Sequence, residues 1–380
     1  MNNFDVVIIG AGPAGATAAY TLAKSGISCA LIEQKKTPGE PVCCGEAISE
    51  SSLKAAGLLH GSYVDKKIKG FKIHFPNNKY FFVDSPGYVI NRNKFDLHIF
   101  DLAMKNGAKA FLRHKAETIK RTETGFEVST NKGMFSCKYL IGADGPKSMV
   151  DTLFFNNHTY LVEATQYKLS KSDYKYDSNN YLDFFYSTLS NYYFWIFEKN
   201  KEINIGGLVK NKETLNAFIN KNFPNQTLKH KGFCRGLIPI GGIKDKIFNH
   251  NAFLIGDAAG LTNPVTFAGI YTAILSAKIC AYSIYGEIKM GKKESPAMYE
   301  KAIRKQNFVS KDIQYAAKYC YSFPQEVLNF IGEYFSGRHF RTKDVFGFIL
   351  LALKHPIIFR HTLSLIRHRK LLKEKINHLW

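Results

Sequence analysis

The sequence lacks any long apolar run. Its longest late apolar stretch, Val345 to Leu353, is followed at once by Lys354-His355-Pro356, well short of the roughly 20 residues that span a bilayer. Membrane contact, where there is any, is therefore expected to be peripheral. Cysteine is sparse and scattered. The seven at 29, 43, 44, 137, 234, 280 and 320 make neither a paired-CxxC metal pattern nor a short disulfide framework, and the odd count in a long chain points to a reducing compartment. The opening MNNFDVVIIG has no basic n-region and no cleavage site, so no secretory leader is read and a cytoplasmic location is expected. Acidic residues are also short. There are 31 Asp and Glu against 52 Lys and Arg, a net charge of +21, and residues 301–380 hold 15 basic against 5 acidic side chains. Such a surplus suits a polyanionic partner, either anionic lipid or nucleic acid. No aromatic-interleaved basic stretch or RNA-binding module accompanies it, so nucleic acid is not the expected partner.

What is present begins with a strand-like run. Residues 4–9, FDVVII, are apolar on both faces, as in a parallel sheet covered by helices. A helical pattern over 13–25 and a second strand, SCALI at 28–32, complete a βαβ unit. Between strand and helix lies Gly10-Ala11-Gly12-Pro13-Ala14-Gly15. In this GxGxxG the first glycine makes the tight turn, the second lets backbone approach a pyrophosphate, and the third lets helix and strand pack closely. Main-chain N–H groups at the helix start then meet phosphate. Glu33, 18 residues past Gly15, is positioned to accept hydrogen bonds from an adenosine ribose and disfavours a 2′-phosphate, which suits FAD or NAD.

The far end of the chain separates those two cofactors. In FLIGDAAGLTNPVTFAGIY, residues 253–271, Asp257 follows a strand and precedes small residues, then Asn263-Pro264 and a helix opening near Gly269-Ile270. A carboxylate here can hold a polyol, small residues let backbone lie against a flat ring system, and a helix N-terminus stabilises negative charge on a reduced ring. FAD has a ribitol and an anionic reduced form, and NAD has neither. The alternative for Asp257 is an ordinary helix cap.

With these segments the chain resembles the FAD-dependent geranylgeranyl reductase family. The likeness rests on GAGPAG with Glu33, PVCCGEAIS at 41–49, Arg92-Asn93-Lys94-Phe95-Asp96, IGADGP at 141–146, GLIPIGG at 236–242 and GDAAGLTNPVTFAGIY, in order over about residues 4–285. The resemblance implies an α/β fold: a Rossmann-like FAD-binding domain of glutathione-reductase/hydroxylase type, an antiparallel-sheet substrate lobe and a C-terminal helical region. By analogy Ala14, Glu33, Cys44, Gly45, Ala47, Arg92, Ala116, Asp257, Pro264, Gly269 and Ile270 line FAD, beside Gly10, Gly12, Pro13 and Gly15. Arg92 would pair with cofactor phosphate, or else serve as a salt-bridge partner. Cys44 has a redox or pocket role by analogy, with structural burial as the alternative. Tyr193, Trp195 and Phe197 match an aromatic motif of the family that shapes a lipid pocket, and period two points all three to one face. Glu198 stands where the family has proline, and Gly206-Gly207 lacks its spaced second glycine. The same pattern suits an ordinary aromatic core strand.

The expected domains are a discontinuous FAD-binding domain at 1–65, 88–150 and 230–296, a substrate lobe at 66–87 and 151–229, and a basic helical region at 297–380. The implied reaction is hydride transfer from reduced FAD to carbon–carbon double bonds of a polyprenyl lipid, with NAD(P)H or a ferredoxin-like carrier as reductant. A flavin monooxygenase acting on an aromatic or lipid ring is the alternative. From Ile357 a basic amphipathic helix ending at Trp380 would carry Ile358, Leu365, Leu372, Ile376 and Leu379 near one face and Arg360, Arg367, Lys370 and Lys375 elsewhere. Such a helix can lie against an anionic membrane surface at the inner face, or pack on its own protein.

Overall fold

The computed structural model describes the chain apart from residues 60, 175, 225–229, 342–343, 353 and 356–379, and apart from the side chains of 230, 231 and 316. The described chain divides into two compact units. The first comprises Met1–Val42, Asn91–Leu161 and Ile238–Ser310, and the second Cys43–Ile90, Val162–Leu237 and Lys311–Trp380.

In the first unit the doubly apolar run becomes the strand Asn2–Ile9, with Val6, Val7 and Ile8 fully buried. It pairs in parallel with Cys29–Glu33 on one side and Gly133–Gly142 on the other. The sheet continues in parallel to Lys109–Leu112 and to Ala252–Leu254, so the strand carrying the glycine turn lies inside it, as burial on both faces requires. An antiparallel hairpin, Ala116–Arg121 with Phe126–Thr130, extends Gly133–Gly142. The helix Pro13–Lys24 starts on a proline, whose missing N–H costs nothing at that position.

The second unit is built on an eight-stranded sheet. Its order is His230–Pro239, Leu161–Ser170, Glu202–Gly207, Tyr193–Glu198, Tyr181–Tyr186, Val64–His74, Tyr80–Ile90 and Ala47–Ser49. The pairings described are antiparallel except that of Tyr181–Tyr186 with Val64–His74, which is parallel. On one face Phe194, Ile196, Ile203 and Ile205 pack with Leu215 and Phe218 of the helix Lys212–Asn222. The Phe194 and Phe218 rings stack at 4.3 Å. Period two sends Tyr193, Trp195 and Phe197 to the opposite face.

The units divide the chain differently from the sequence-based boundaries. Residues 43–65 go with the second unit, because Ala47–Ser49 pairs with Tyr80–Ile90. The basic C-terminal region is split. The helix Ser295–Arg304 joins the first unit, where Tyr299 donates to the Leu254 carbonyl at 2.6 Å, and residues from Lys311 on join the second. There Val327, Phe335, Phe348 and Ala352 form a core with Phe81. The expected amphipathic helix from Ile357 lies outside the described residues, except Trp380. No helix among the described residues is long and apolar enough to cross a membrane.

Candidate cofactor and substrate sites

In the first unit the three glycines of the turn have three different surroundings. A Cβ on Gly10, whose φ is +99°, would lie 2.5 Å from the Ala143 carbonyl oxygen, and one on Gly15 would lie 1.9 Å from that of Gly10. Both distances are below any real contact, so close packing of strand, turn and helix demands glycine at each. A Cβ on Gly12 would meet nothing within 4 Å among the described residues. Gly12 thus faces open space at the start of Pro13–Lys24, a helix with no side-chain cap. Its first N–H groups have no partner within the helix, and an anion is the natural one.

Glu33 closes the other side of this cradle. One carboxylate oxygen accepts from Ala11 N–H and the other from Lys35 N–H, each at 2.8 Å. Each oxygen keeps a second lone pair for a ribose hydroxyl. The His114 N–H donates to the Glu33 carbonyl at 2.9 Å, which brings the segment leading into Ala116 beside the same strand end.

Asp257 lies in a 3-10 turn, Gly256–Ala259, after the strand Ala252–Leu254. Burial raises its carboxyl from 3.8 to about 6, with the Arg92 guanidinium pulling the other way. A Cβ on Gly269 would come within 3.1 Å of Asp257 Oδ1, so glycine is what lets the carboxylate sit against the start of the helix Ile270–Ile288. That helix also has no side-chain cap. Arg92 is held by Asp96, with Nε to Oδ1 at 2.8 Å and Nη2 to Oδ2 at 2.9 Å. It is therefore a salt-bridge partner and a charge acting on Asp257 at once. The loop before the helix is an Asx turn: Asn263 Oδ1 accepts from the N–H groups of Val265 and Thr266, around Pro264. Asn263 Nδ2 is buried and without a hydrogen-bond partner among the described residues, and Phe267 has a φ of +54°, a left-handed conformation that an aromatic residue adopts only when its surroundings impose it.

The small residues around Asp257 have a second cause. A Cβ on Gly256 would lie 3.0 Å from Ala14 Cβ and 3.4 Å from Ala273 Cβ, and one on Gly260 would lie 2.4 Å from the Gly242 carbonyl oxygen. Ala258 and Ala259 are fully buried. The expectation that bulk is limited by a flat ring system is corrected here for Gly256, Gly260 and the two alanines: the protein's own helices and loops set that limit. An uncapped helix start beside open space, an orphaned Asn263 amide and a buried carboxylate fit a dinucleotide carrying a polyol.

In the second unit Tyr193, Trp195 and Phe197 share one face, with successive ring centroids 6.1 and 6.3 Å apart. All three are buried. The adjacent glycines that replace the spaced pair each make room for an aromatic ring: a Cβ on Gly206 would lie 2.2 Å from Trp195 Cζ2, and one on Gly207 would lie 2.4 Å from Phe194 Cδ1 on the opposite face. Gly45 does the same for Phe197 at 2.7 Å. Beside it, Cys44 Sγ accepts from Glu46 N–H at 3.2 Å, and Ala47 pairs with Val89. Glu198, in place of proline, accepts from Lys66 Nζ at 2.7 Å and Ser178 Oγ at 2.6 Å; burial pushes its carboxyl up, but Lys171, Lys66 and Ser178 together outweigh it and hold the carboxyl down at about 2. The sequence reading found no disulfide framework, yet Cys43 and Cys234 are bonded across 191 residues. Two polar residues on this face escaped that reading. Gln166 Oε1 accepts from Trp195 Nε1 at 3.2 Å, while among the described residues its Nε2 and Asn204 Oδ1 have no partner. For Asn204 the available signal was a polar residue between two isoleucines in the strand Glu202–Gly207; the strand of Gln166, Leu161–Ser170, also carries Glu163, Thr165, Lys168 and Ser170 and offered none.

Thus Gly10, Gly12, Pro13, Ala14, Gly15, Glu33, Arg92, Ala116, Asp257, Pro264, Gly269 and Ile270 fall in the first unit. Cys44, Gly45, Ala47, Tyr193, Trp195 and Phe197 fall in the second.

The family described as FAD binding domain matches residues 3–203. Digeranylgeranylglycerophospholipid reductase 2 of Methanosphaera stadtmanae is 30% identical over 381 residues, covering 92% of this chain and 96% of that protein. Digeranylgeranylglycerophospholipid reductase of Methanococcus vannielii is 29% identical over 340 residues, 82% of this chain and 86% of its own length. Among solved structures, a geranylgeranyl bacteriochlorophyll reductase-like protein of Thermoplasma acidophilum superposes with a TM-score of 0.80 at 25% identity, covering 98% of this chain and all of that one. A probable FAD-dependent monooxygenase of Pseudomonas aeruginosa reaches a TM-score of 0.64 at 16% identity over 84% of this chain and 97% of its own, a likeness of fold alone.

Proposed function

The chain belongs to the FAD-dependent geranylgeranyl reductase family of oxidoreductases, and we propose that it hydrogenates carbon–carbon double bonds of a polyprenyl lipid of geranylgeranyl type. The observation that carries this reading is the buried aromatic face of Tyr193, Trp195 and Phe197, for which Gly45 and Gly206 give up their side chains. Such a face is mainly aromatic, with Gln166 and Asn204 as its polar points, and its rings suit branched hydrocarbon.

Bound FAD, once reduced, supplies the hydride. Around it Gly12 and the start of Pro13–Lys24 would receive the pyrophosphate, Glu33 the ribose and Asp257 the ribitol, with Arg92 balancing the Asp257 charge. The start of Ile270–Ile288 would stabilise negative charge on the reduced ring. Cys44, Gly45 and Ala47 would shape the approach to the lipid face. The reductant is NAD(P)H or a ferredoxin-like carrier. The net charge of +21 supports contact with an anionic membrane surface, where a polyprenyl lipid would be met.

The test is anaerobic incubation of dithionite-reduced protein with geranylgeranyl lipids, read by mass spectrometry as gains of two hydrogens per bond. Oxygen consumption in step with a hydroxylated product would instead assign a monooxygenase.

A further inference from the structure

The aromatic face has an end, and Trp380 stands there. From Phe197 the rings continue to Phe184 at 5.1 Å, from Phe184 to Phe71 at 5.4 Å and from Phe71 to Trp380 at 4.7 Å, each pair edge to face. Strand register keeps this line on one side of the sheet. Phe184 pairs with Trp195 and with Ile73, and Phe71 is two residues from Ile73.

Trp380 is 4% exposed, and its position is fixed by more than apolar contact. Nε1 donates to Ser85 Oγ at 2.9 Å, and its carbonyl accepts from Ser52 Oγ at 2.9 Å and Ser49 N–H at 3.3 Å. Gly87 supplies the hollow for the ring, since a Cβ there would lie 2.3 Å from indole Cη2. A buried indole whose N–H is satisfied does not move aside without leaving polar groups unpaired.

We propose that Trp380 is the stop that sets the length of polyprenyl chain accepted, the distal isoprene unit ending against its indole. This deepens the polyprenyl reading above and rests on it. A chain longer than the face must either displace the indole, breaking its bond to Ser85, or leave its tail in water. A smaller side chain at 380 leaves an apolar hollow bounded by Phe71 and Gly87 that further isoprene carbons can fill. One methylene in an apolar pocket shifts kcat/KM by roughly tenfold or more, so a whole isoprene unit gives a readable change.

The experiment compares the FAD-loaded full chain with its Trp380→Ala, Trp380→Phe and Ser85→Ala variants. Each is reduced with dithionite, kept anaerobic and offered farnesol, geranylgeraniol and geranylfarnesol in competition, with products counted by mass. Trp380→Ala should raise the kcat/KM ratio of geranylfarnesol to geranylgeraniol by about tenfold or more. Trp380→Phe, which keeps a ring, should return it toward the unmodified value. Ser85→Ala, which frees the indole without removing it, should shift the ratio in the same direction by less and carries the test where the alanine variant fails to load FAD. Unmodified protein active on geranylgeraniol, with unchanged ratios in the variants that load FAD, would overturn the proposal and leave the polyprenyl reading standing. Unmodified protein that hydrogenates none of the three alcohols overturns both.

Discussion

Replacing Asp257 by asparagine keeps the size of the side chain and removes its charge, and the structure assigns opposite signs to the two consequences. Burial raises the carboxyl from 3.8 to about 6. At about 1.36 kcal/mol per pKa unit, the ionised form costs the FAD-free protein about 3 kcal/mol at neutral pH. Because the folded value lies above the unfolded one, the folded state binds more protons between about pH 4 and pH 6, and stability falls as pH rises through that window and then levels off. Asp257→Asn removes this dependence. Urea unfolding of FAD-free protein should show the variant more stable by about 3 kcal/mol at pH 7, with the difference vanishing near pH 4. Taking the difference between two proteins cancels the other titrating groups, Asp144 among them, whose carboxyl burial also raises. FAD binding should move the other way. Loss of hydrogen bonds to a charged acceptor, at about 1.5 to 3 kcal/mol, weakens Kd by roughly 10- to 100-fold. A variant no more stable than its parent at pH 7, or one that binds FAD unchanged, would refute the assignment of Asp257 as a carboxylate held in readiness for a polyol.

Three further outcomes follow from particular contacts. Gly15→Ala would put a Cβ 1.9 Å from the Gly10 carbonyl oxygen, and the variant should purify without yellow colour while far-UV circular dichroism changes little. Gly206→Ala should destabilise by about 2 to 4 kcal/mol through overpacking against Trp195 and loss of the bond to Gln166; in a Trp195→Ala background the cost should fall by at least about 0.5 kcal/mol, and strict additivity in urea melts would count against the packing described. Lys244→Met would strand the buried Asp151, whose Oδ2 lies 2.6 Å from Lys244 Nζ, at a cost of about 3 to 5 kcal/mol, measured as a shift in the urea midpoint.

Much of the first unit was legible because local rules and tertiary demands agree there. A doubly apolar strand, a glycine turn and a proline-led helix each have one physical solution, so Gly10, Gly15 and Glu33 sit where their spacing puts them. Period two also decided which face Tyr193, Trp195 and Phe197 share. What stayed hidden depends on partners distant in the chain. No spacing rule shows that Cys43 meets Cys234, that Gly206 makes room for an indole eleven residues earlier, or that Trp380 returns to Ser85. The basic C-terminal region read as one body because charge reports composition, whereas its division follows buried rings such as Tyr299 and Phe335.

The central claim is that flavin held by this chain passes its electrons to an alkene. It is met most directly by reducing the bound FAD without air, adding geranylgeranyl lipid and following flavin absorbance. The account predicts that the yellow colour returns on adding lipid, in proportion to the bonds hydrogenated. Flavin that stays bleached with lipid and regains colour only when oxygen is admitted would contradict it.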